Sequence, residues 1–491
     1  TFSVGDYVVF AIMLVASTLI GLFFAIRDRK KRNTEEYLLA GRSMSPYPVG
    51  FSLAVSFMSA VTVLGTPVEV YRFGTMYAWL VVGMLIALII TAEIFVPVFY
   101  NMGLTTVYEY LEMRFNKTVR LTATALFMIQ TILYGGIVIF APALTLNSVT
   151  GFNLWGAVVS TGLVCIFYSC LGGLKGVIWT DALQASIMLV GFVAILIQGS
   201  LKLGGFANIW KLCEQGSRIE FGQFDLDPRI RHSVWSLTAG GSIFVCGLYA
   251  VNQSQVQRYL SCRSAKDAKI ALVFNWLGLV LLNGLAVMTG IVLYAYYKDC
   301  DPLSVGQVKV RDALLPYMVL EIFKDNPGVP GIFLASIYSG SLSYYIKLVF
   351  ACICVLCNLM YYLLLTVIYS TISTAITALS SVTIHDFLKP HFAWKEKTFT
   401  NISIGLIFVY GLLLILFAYL TSKLGGLLQA AISILGLLGG PLVGLFSLGV
   451  LFPFVNSIGA LSGLVVGIGM NVWVFVGSKY YPPPPHFANE L

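Results

Sequence analysis

Long apolar runs, separated by short polar stretches and small clusters of basic residues, dominate this chain. A helix needs about 20 apolar residues to cross the hydrocarbon of a bilayer. Runs of that kind predict spans over 6–26, 47–73, 77–100, 121–146, 155–171, 176–200, 236–258, 269–296, 328–383, 399–420, 424–449 and 454–479. The run 328–383 is anomalous, being too long for one crossing. The loop 27–46 carries Arg27, Arg29, Lys30, Lys31 and Arg32, a cluster that belongs in the cytoplasm, so the N-terminus is expected outside. Alternation then places 101–120, with Arg114, Lys117 and Arg120, inside, together with 257–268 and its Arg258, Arg263 and Lys266. The longer loops 201–235 and 297–327 fall outside. The glycosylation patterns at Asn116, Asn252 and Asn401 then lie inside or within the membrane, so no glycan is expected on them.

Composition agrees with the pattern. Of 491 residues 58% are hydrophobic and 11% charged, against roughly 25% charged in an average soluble domain. Mean hydropathy is +0.86. This balance excludes a cytosolic or secreted enzyme and a disordered regulator, and leaves a multi-pass protein whose surroundings are the lipid bilayer. The net charge of +8 comes from loop clusters and is no nucleic-acid signal. Nine cysteines show no zinc-ligand spacing. Cys213 and Cys300 fall in the two outer loops, where a disulfide between them is one option. The absence of HExxH, of GxSxG with His and Asp nearby, and the presence of only four His argue against an enzyme.

Two spans are interrupted by helix-weakening residues. In 47–73, Pro46, Pro48 and Pro67 frame Ser52, Ser56, Ser59, Thr62 and Thr66. Freed backbone carbonyls are tolerated in a membrane only against protein or a watery cavity, which makes this segment a candidate ion and substrate site. The alternative is a packed helix whose serines bond the carbonyl four residues back. In 424–449, Gly436, Gly439, Gly440 and Pro441 are expected to bend the helix, and Gln429 needs a partner. Asp181, one turn into 176–200, is either a helix-capping acid or a functional intramembrane carboxylate, and Gln184 shares its face. Glu93 is a second lone acid, expected to make an interhelical hydrogen bond.

The segments FMSAVTVLGTPVEVYRFG, TTVYEYLEMRFNKTVRL, ILYGGIVIFAPALTLNSVTGF, GGLKGVIWTDALQ, AVNQSQVQRYLSC and GGPLVGLFSLG together resemble the sodium:solute symporter family, nearest its animal branch for monocarboxylates, iodide and multivitamins. The resemblance runs through nearly the whole chain. It implies an all-α polytopic protein with a leucine-transporter-like inverted five-plus-five helix repeat. The first repeat is expected over 47–200 and the second over 236–449, with one helix, 1–26, before the core and one, 454–480, after it. A further C-terminal helix and tail, usual in the family, are expected to be missing after YYPPPPHFANEL.

The same resemblance implies Na⁺ as coupling ion and no cofactor. One sodium site would draw on Ser56, Asp181, Gln184, Ser341, Ser343 and Thr371, and a second, beside the substrate, on Ser59, Thr62, Tyr134 and Gln429. The implied activity is sodium-coupled symport of lactate, pyruvate, short-chain fatty acids and nicotinate by alternating access, in the plasma membrane and apically in epithelia. Thr62 supports monocarboxylates, because the iodide carriers have Gln there and the multivitamin carriers Ala, and a hydroxyl can donate to a carboxylate. Iodide or multivitamin transport is the alternative, as is a non-transporting relative. That last reading rests on a break in the pattern. SGSLS, 339–343, and TISTAITALSSVTIHDFL, 371–388, are adjacent in the family, whereas here 344–370 intervenes and separates Ser343 from Thr371. A retained intron and a real extra segment are the two readings of this insertion.

Overall fold

The computed structural model describes residues 40–227, 230–324, 329–330, 333–334, 337, 370–392, 394–422 and 426–481. The expected N-terminal helix 6–26 and residues 344–369 of the insertion lie outside the described residues. The described chain is helical, and seven of its helices are long and apolar enough to cross a membrane, or eight if one bent pair counts as a single span.

That pair is α1 (Pro46–Phe57) and α2 (Ala60–Phe73), which meet at 56°. The interruption expected in 47–73 is present, but the prolines do not make it. Pro46 occupies the first turn of α1, where its missing N–H is harmless, and Pro67 sits inside a continuous α2. The helix breaks at Met58 and Ser59. Ser59 is extended and caps α2 through its carbonyl, which accepts from the N–H of Thr62 (2.9 Å) and Val63 (3.0 Å).

The span α3 (Thr75–Asn101) follows, with a π-helical turn at Thr91–Phe95. Next come the short α4 (Val107–Arg114), α5 (Lys117–Thr150) and α6 (Leu154–Lys202). The spans expected at 155–171 and 176–200 are joined within α6 without a break in the helical hydrogen bonding. After α7 (Phe206–Gln215) come α8 (Gly241–Tyr249), α9 (Gln253–Tyr259) and α10 (Ala265–Tyr297). The remaining helices are α11 (Leu314–Ile322), α12 (Ser370–Val382), α13 (Glu396–Thr421), α14 (Leu427–Leu451) and α15 (Ser457–Tyr480).

Glycines set the closest helix contacts. A Cβ on Gly50 of α1 would lie 2.6 Å from Phe274 Cβ, and one on Gly290 of α10 would lie 2.7 Å from the Pro67 carbonyl oxygen. In a bilayer, where lipid is as apolar as leucine, such backbone approach is what holds helices together. It packs α10 across both halves of the broken helix.

Several expectations need correction. The bend expected in 424–449 does not interrupt α14, which runs through Pro441 as one helix. Pro441 has no N–H for the Leu437 carbonyl, and Asn471 Nδ2 of α15 donates to that oxygen instead, at 3.2 Å. Arg120 and Arg258, read as loop charges, are buried. Arg120 pairs with Asp386 and, at 2.6 Å, with Glu112. Asp386 also accepts from Thr106 (2.9 Å) and Thr124 (2.8 Å). Cys213 and Cys300 are both free thiols; Cys213 is buried and its Sγ–H donates to the Ile291 carbonyl. Glu93 does pair between helices, accepting from Lys269 of α10 at 2.7 Å.

Candidate functional site

A cavity of about 70 Å³ opens at the break between α1 and α2. Met58 and Thr62 line it from the broken helix, Tyr77 from α3, Tyr134 from α5, Asn283 from α10 and Leu428 from α14. A water needs roughly 10–15 Å³ by the same measure, so the room is for roughly five to seven waters. The wall is mostly apolar, and none of the described residues lining it is charged.

The break explains why the hydroxyls converge. Ser59 must cap α2, which fixes its Cα at the end of the interrupted backbone, and its buried Oγ lies 3.5 Å from the Tyr134 hydroxyl. Thr62 follows within the first turn of α2 and faces the same space. Three of the four residues expected around the substrate are thus together. Gln429 is not with them. It is exposed and absent from the cavity wall, whereas Leu428 and Ile432 are on it. Successive helical residues are about 100° apart, so a helix that presents Leu428 and Ile432 turns Gln429 to another face.

One turn before the break, a buried polar cluster joins three helices. Arg258 of α9 donates from Nη1 to the Ser52 carbonyl (3.0 Å) and pairs through Nη2 with Asp181 of α6 (3.1 Å). Ser52 Oγ donates to the same Asp181 oxygen at 2.6 Å. Ser56 Oγ donates 2.5 Å to the Ser52 carbonyl, four residues back. Ser56 thus back-bonds within its own helix, while Ser52 donates across to Asp181 of α6. Asp181 lies in the middle of continuous α6, so helix capping does not account for it. Of the remaining expected sodium ligands, Thr371 lies in the first turn of α12, the side chains of Thr371 and Gln184 are not described, and Ser341 and Ser343 are outside the described residues.

Two residues here escaped the sequence reading. Arg258 reads as a cytoplasmic charge in the sequence, although the run QSQVQRY places Gln253, Gln255 and Gln257 beside it, all of them buried. Asn283 is, with Asn275, one of two amides inside the apolar run 269–296, and an amide in such a run is the signal that points to it.

The profile of the sodium:solute symporter family matches residues 37–361. Human (Homo sapiens) sodium-coupled monocarboxylate transporter 2 is 48% identical over 486 residues, spanning 98% of this chain and 74% of that protein. The sodium/iodide cotransporter of Homo sapiens is 43% identical over 485 residues, spanning 98% and 71%. The structure of a Na⁺-coupled sialic acid symporter, substrate-bound and outward-open, superposes with a TM-score of 0.79 at 22% identity, covering 98% of this chain and 99% of that one. The fold is accordingly the leucine-transporter-like inverted five-plus-five helix arrangement.

Proposed function

This chain belongs to the sodium:solute symporter family, and from that premise we infer that it is a sodium-coupled symporter of small monocarboxylates. It is a multi-pass membrane transporter and not an enzyme, with Na⁺ as the coupling ion. The observation that carries the substrate reading is the cavity at the helix break, where Thr62 and Tyr134 belong to a mostly apolar wall. Its volume suits a three-carbon acid such as lactate or pyruvate better than biotin. Short-chain fatty acids and nicotinate complete the proposed substrate class.

In this reading sodium binds first and stabilises the outward-open state. The anion then binds beside a sodium ion held near Ser59, Tyr134 and Thr62, and the two charges offset each other where the dielectric is low. A second sodium is assigned near Ser56 and the first turn of α12. Asp181 acts there through Ser52, holding the front half of the broken helix in place. Rocking of one helical bundle against the other then opens the inside. Ion binding moves this equilibrium only as far as its affinity differs between the two states. The sodium gradient and membrane potential drive uptake, the latter by about 2.3 kcal/mol per charge per 100 mV. The plasma membrane, on an apical epithelial surface, is the proposed location.

The test is sodium-dependent current in voltage-clamped cells with lactate, iodide and biotin applied in turn. Current with lactate alone is expected. Current with iodide alone would transfer the assignment to the iodide branch, and silence at confirmed surface expression would favour a non-transporting relative.

A further inference from the structure

The cavity has to hold an anion without any cationic side chain among the described residues on its wall. Sodium can neutralise the charge, but a carboxylate also needs hydrogen-bond donors once its water is removed. The wall has few donors, and several are committed. The Tyr249 hydroxyl donates to the Leu53 carbonyl at 3.3 Å, and that of Tyr134 is within reach of Ser59. Asn283 differs from these. It is 1% exposed, it lines the cavity, and its Nδ2 has no hydrogen-bond partner among the described residues. A buried amide donor is rarely left unpaired in a native structure, and one carried by a cavity-wall residue is explained by what the cavity holds.

The geometry points to Asn283 as a substrate-binding residue whose Nδ2–H donates to the carboxylate of the transported acid. The inference rests on the monocarboxylate reading and deepens it. Several physical consequences follow. The amide has two N–H donors and does not titrate, so this contact is the same at every physiological pH. It adds no charge, so the sodium ion remains the only counter-charge and coupling is preserved. An aligned donor also favours a carboxylate, with directional lone pairs, over a spherical halide. Asn283 lies on α10, the helix packed across both halves of the break, so substrate bound to it links the two flanks of the cavity.

The experiment compares wild type with Asn283→Leu, Asn283→Asp and Asn283→Ser under voltage clamp. Lactate is the substrate, and sodium-dependent charge movement without substrate serves as control for a folded protein at the surface. Leu keeps the bulk and removes the donor. Asp keeps the shape and replaces the donor with an acceptor. Ser retains a shorter donor. Leu and Asp are each expected to raise the half-saturating lactate concentration roughly tenfold or more, with Ser between them and wild type, while the sodium charge movement stays. Unchanged half-saturation in any folded variant lacking the donor overturns the inference, as does a loss of maximal current and charge movement together in all three, which is the signature of a packing role. Absence of lactate current in wild type would instead be a failure of the monocarboxylate reading itself.

Discussion

Arg258 Nη2 lies 3.1 Å from Asp181 Oδ2, and neither side chain is exposed. An ion pair removed from water in this way is costly to break, because the surviving partner is left charged and buried. Asp181→Ala and Arg258→Ala are each expected to destabilise the protein by about 3–5 kcal/mol. The double substitution Asp181→Leu with Arg258→Met should be less harmful than either single one. Thermal unfolding of the detergent-solubilised protein, with sodium present, measures this. Equal and additive losses in the single and double variants would mean that the pair is not coupled.

Thr62 lines the cavity at the helix break, where its hydroxyl is proposed to meet the substrate. Thr62→Val keeps the shape and removes the hydrogen bond, worth about 1 kcal/mol. The half-saturating lactate concentration should rise roughly fivefold, with a much smaller effect on the maximal current. A concentration series of uptake separates the two parameters.

The segment 344–370 stands between Ser343 and Thr371, which the family resemblance implies as neighbouring sodium ligands. The chain with this segment should bind sodium weakly at the site proposed near Ser56 and the first turn of α12. Its deletion should raise sodium-dependent lactate uptake, most strongly at low sodium. Equal uptake by both forms, at matched surface expression, would refute the claim.

Asp312 supplies the pH prediction. It is nearly buried in the connection before α11, and its Oδ2 accepts from the N–H of Leu427 at the start of α14 at 3.1 Å. Burial pushes its carboxyl up to about 6, against the opposing effect of that hydrogen bond. The folded protein therefore holds this proton more tightly than the unfolded chain does. The stability contributed by Asp312 is fully present below the ordinary carboxylate range and is lost as pH rises through about 6. Asp312→Asn keeps an acceptor for Leu427 without the charge. It should melt higher than wild type at pH 7, and the difference should shrink as pH falls through about 6 and close only below the ordinary carboxylate range, near about pH 3. A difference that is constant across this range would show that burial of the charge is not the cause.

Asn471 serves the carbonyl that Pro441 leaves open. Asn471→Leu should cost about 1–2 kcal/mol through the stranded Leu437 oxygen. Adding Pro441→Ala, which restores a backbone donor four residues on, should recover most of it. The melting temperatures of the two variants and wild type decide this.

How much of this was legible in the sequence depends on the range of the interaction concerned. Apolar runs of span length, the all-helical class and the hydroxyl-rich broken helix are local properties, since hydrocarbon thickness and backbone hydrogen bonding act on each segment separately. Family likeness added the grouping of Ser59, Thr62 and Tyr134, and the structure puts these three side by side. What the linear order could not settle was which side of a helix meets which neighbour. Gln429 and Leu428 are adjacent in the chain, yet only Leu428 faces the cavity. Arg258 sits among other polar residues and reads as a loop charge, until α6 brings Asp181 against it from 77 positions away. Asn283 is one amide in an apolar run, and only packing at the α1–α2 break makes it an unpaired donor in a cavity. A charge or amide is judged buried or solvated by everything around it, and that sum over distant segments exists only once the chain has folded.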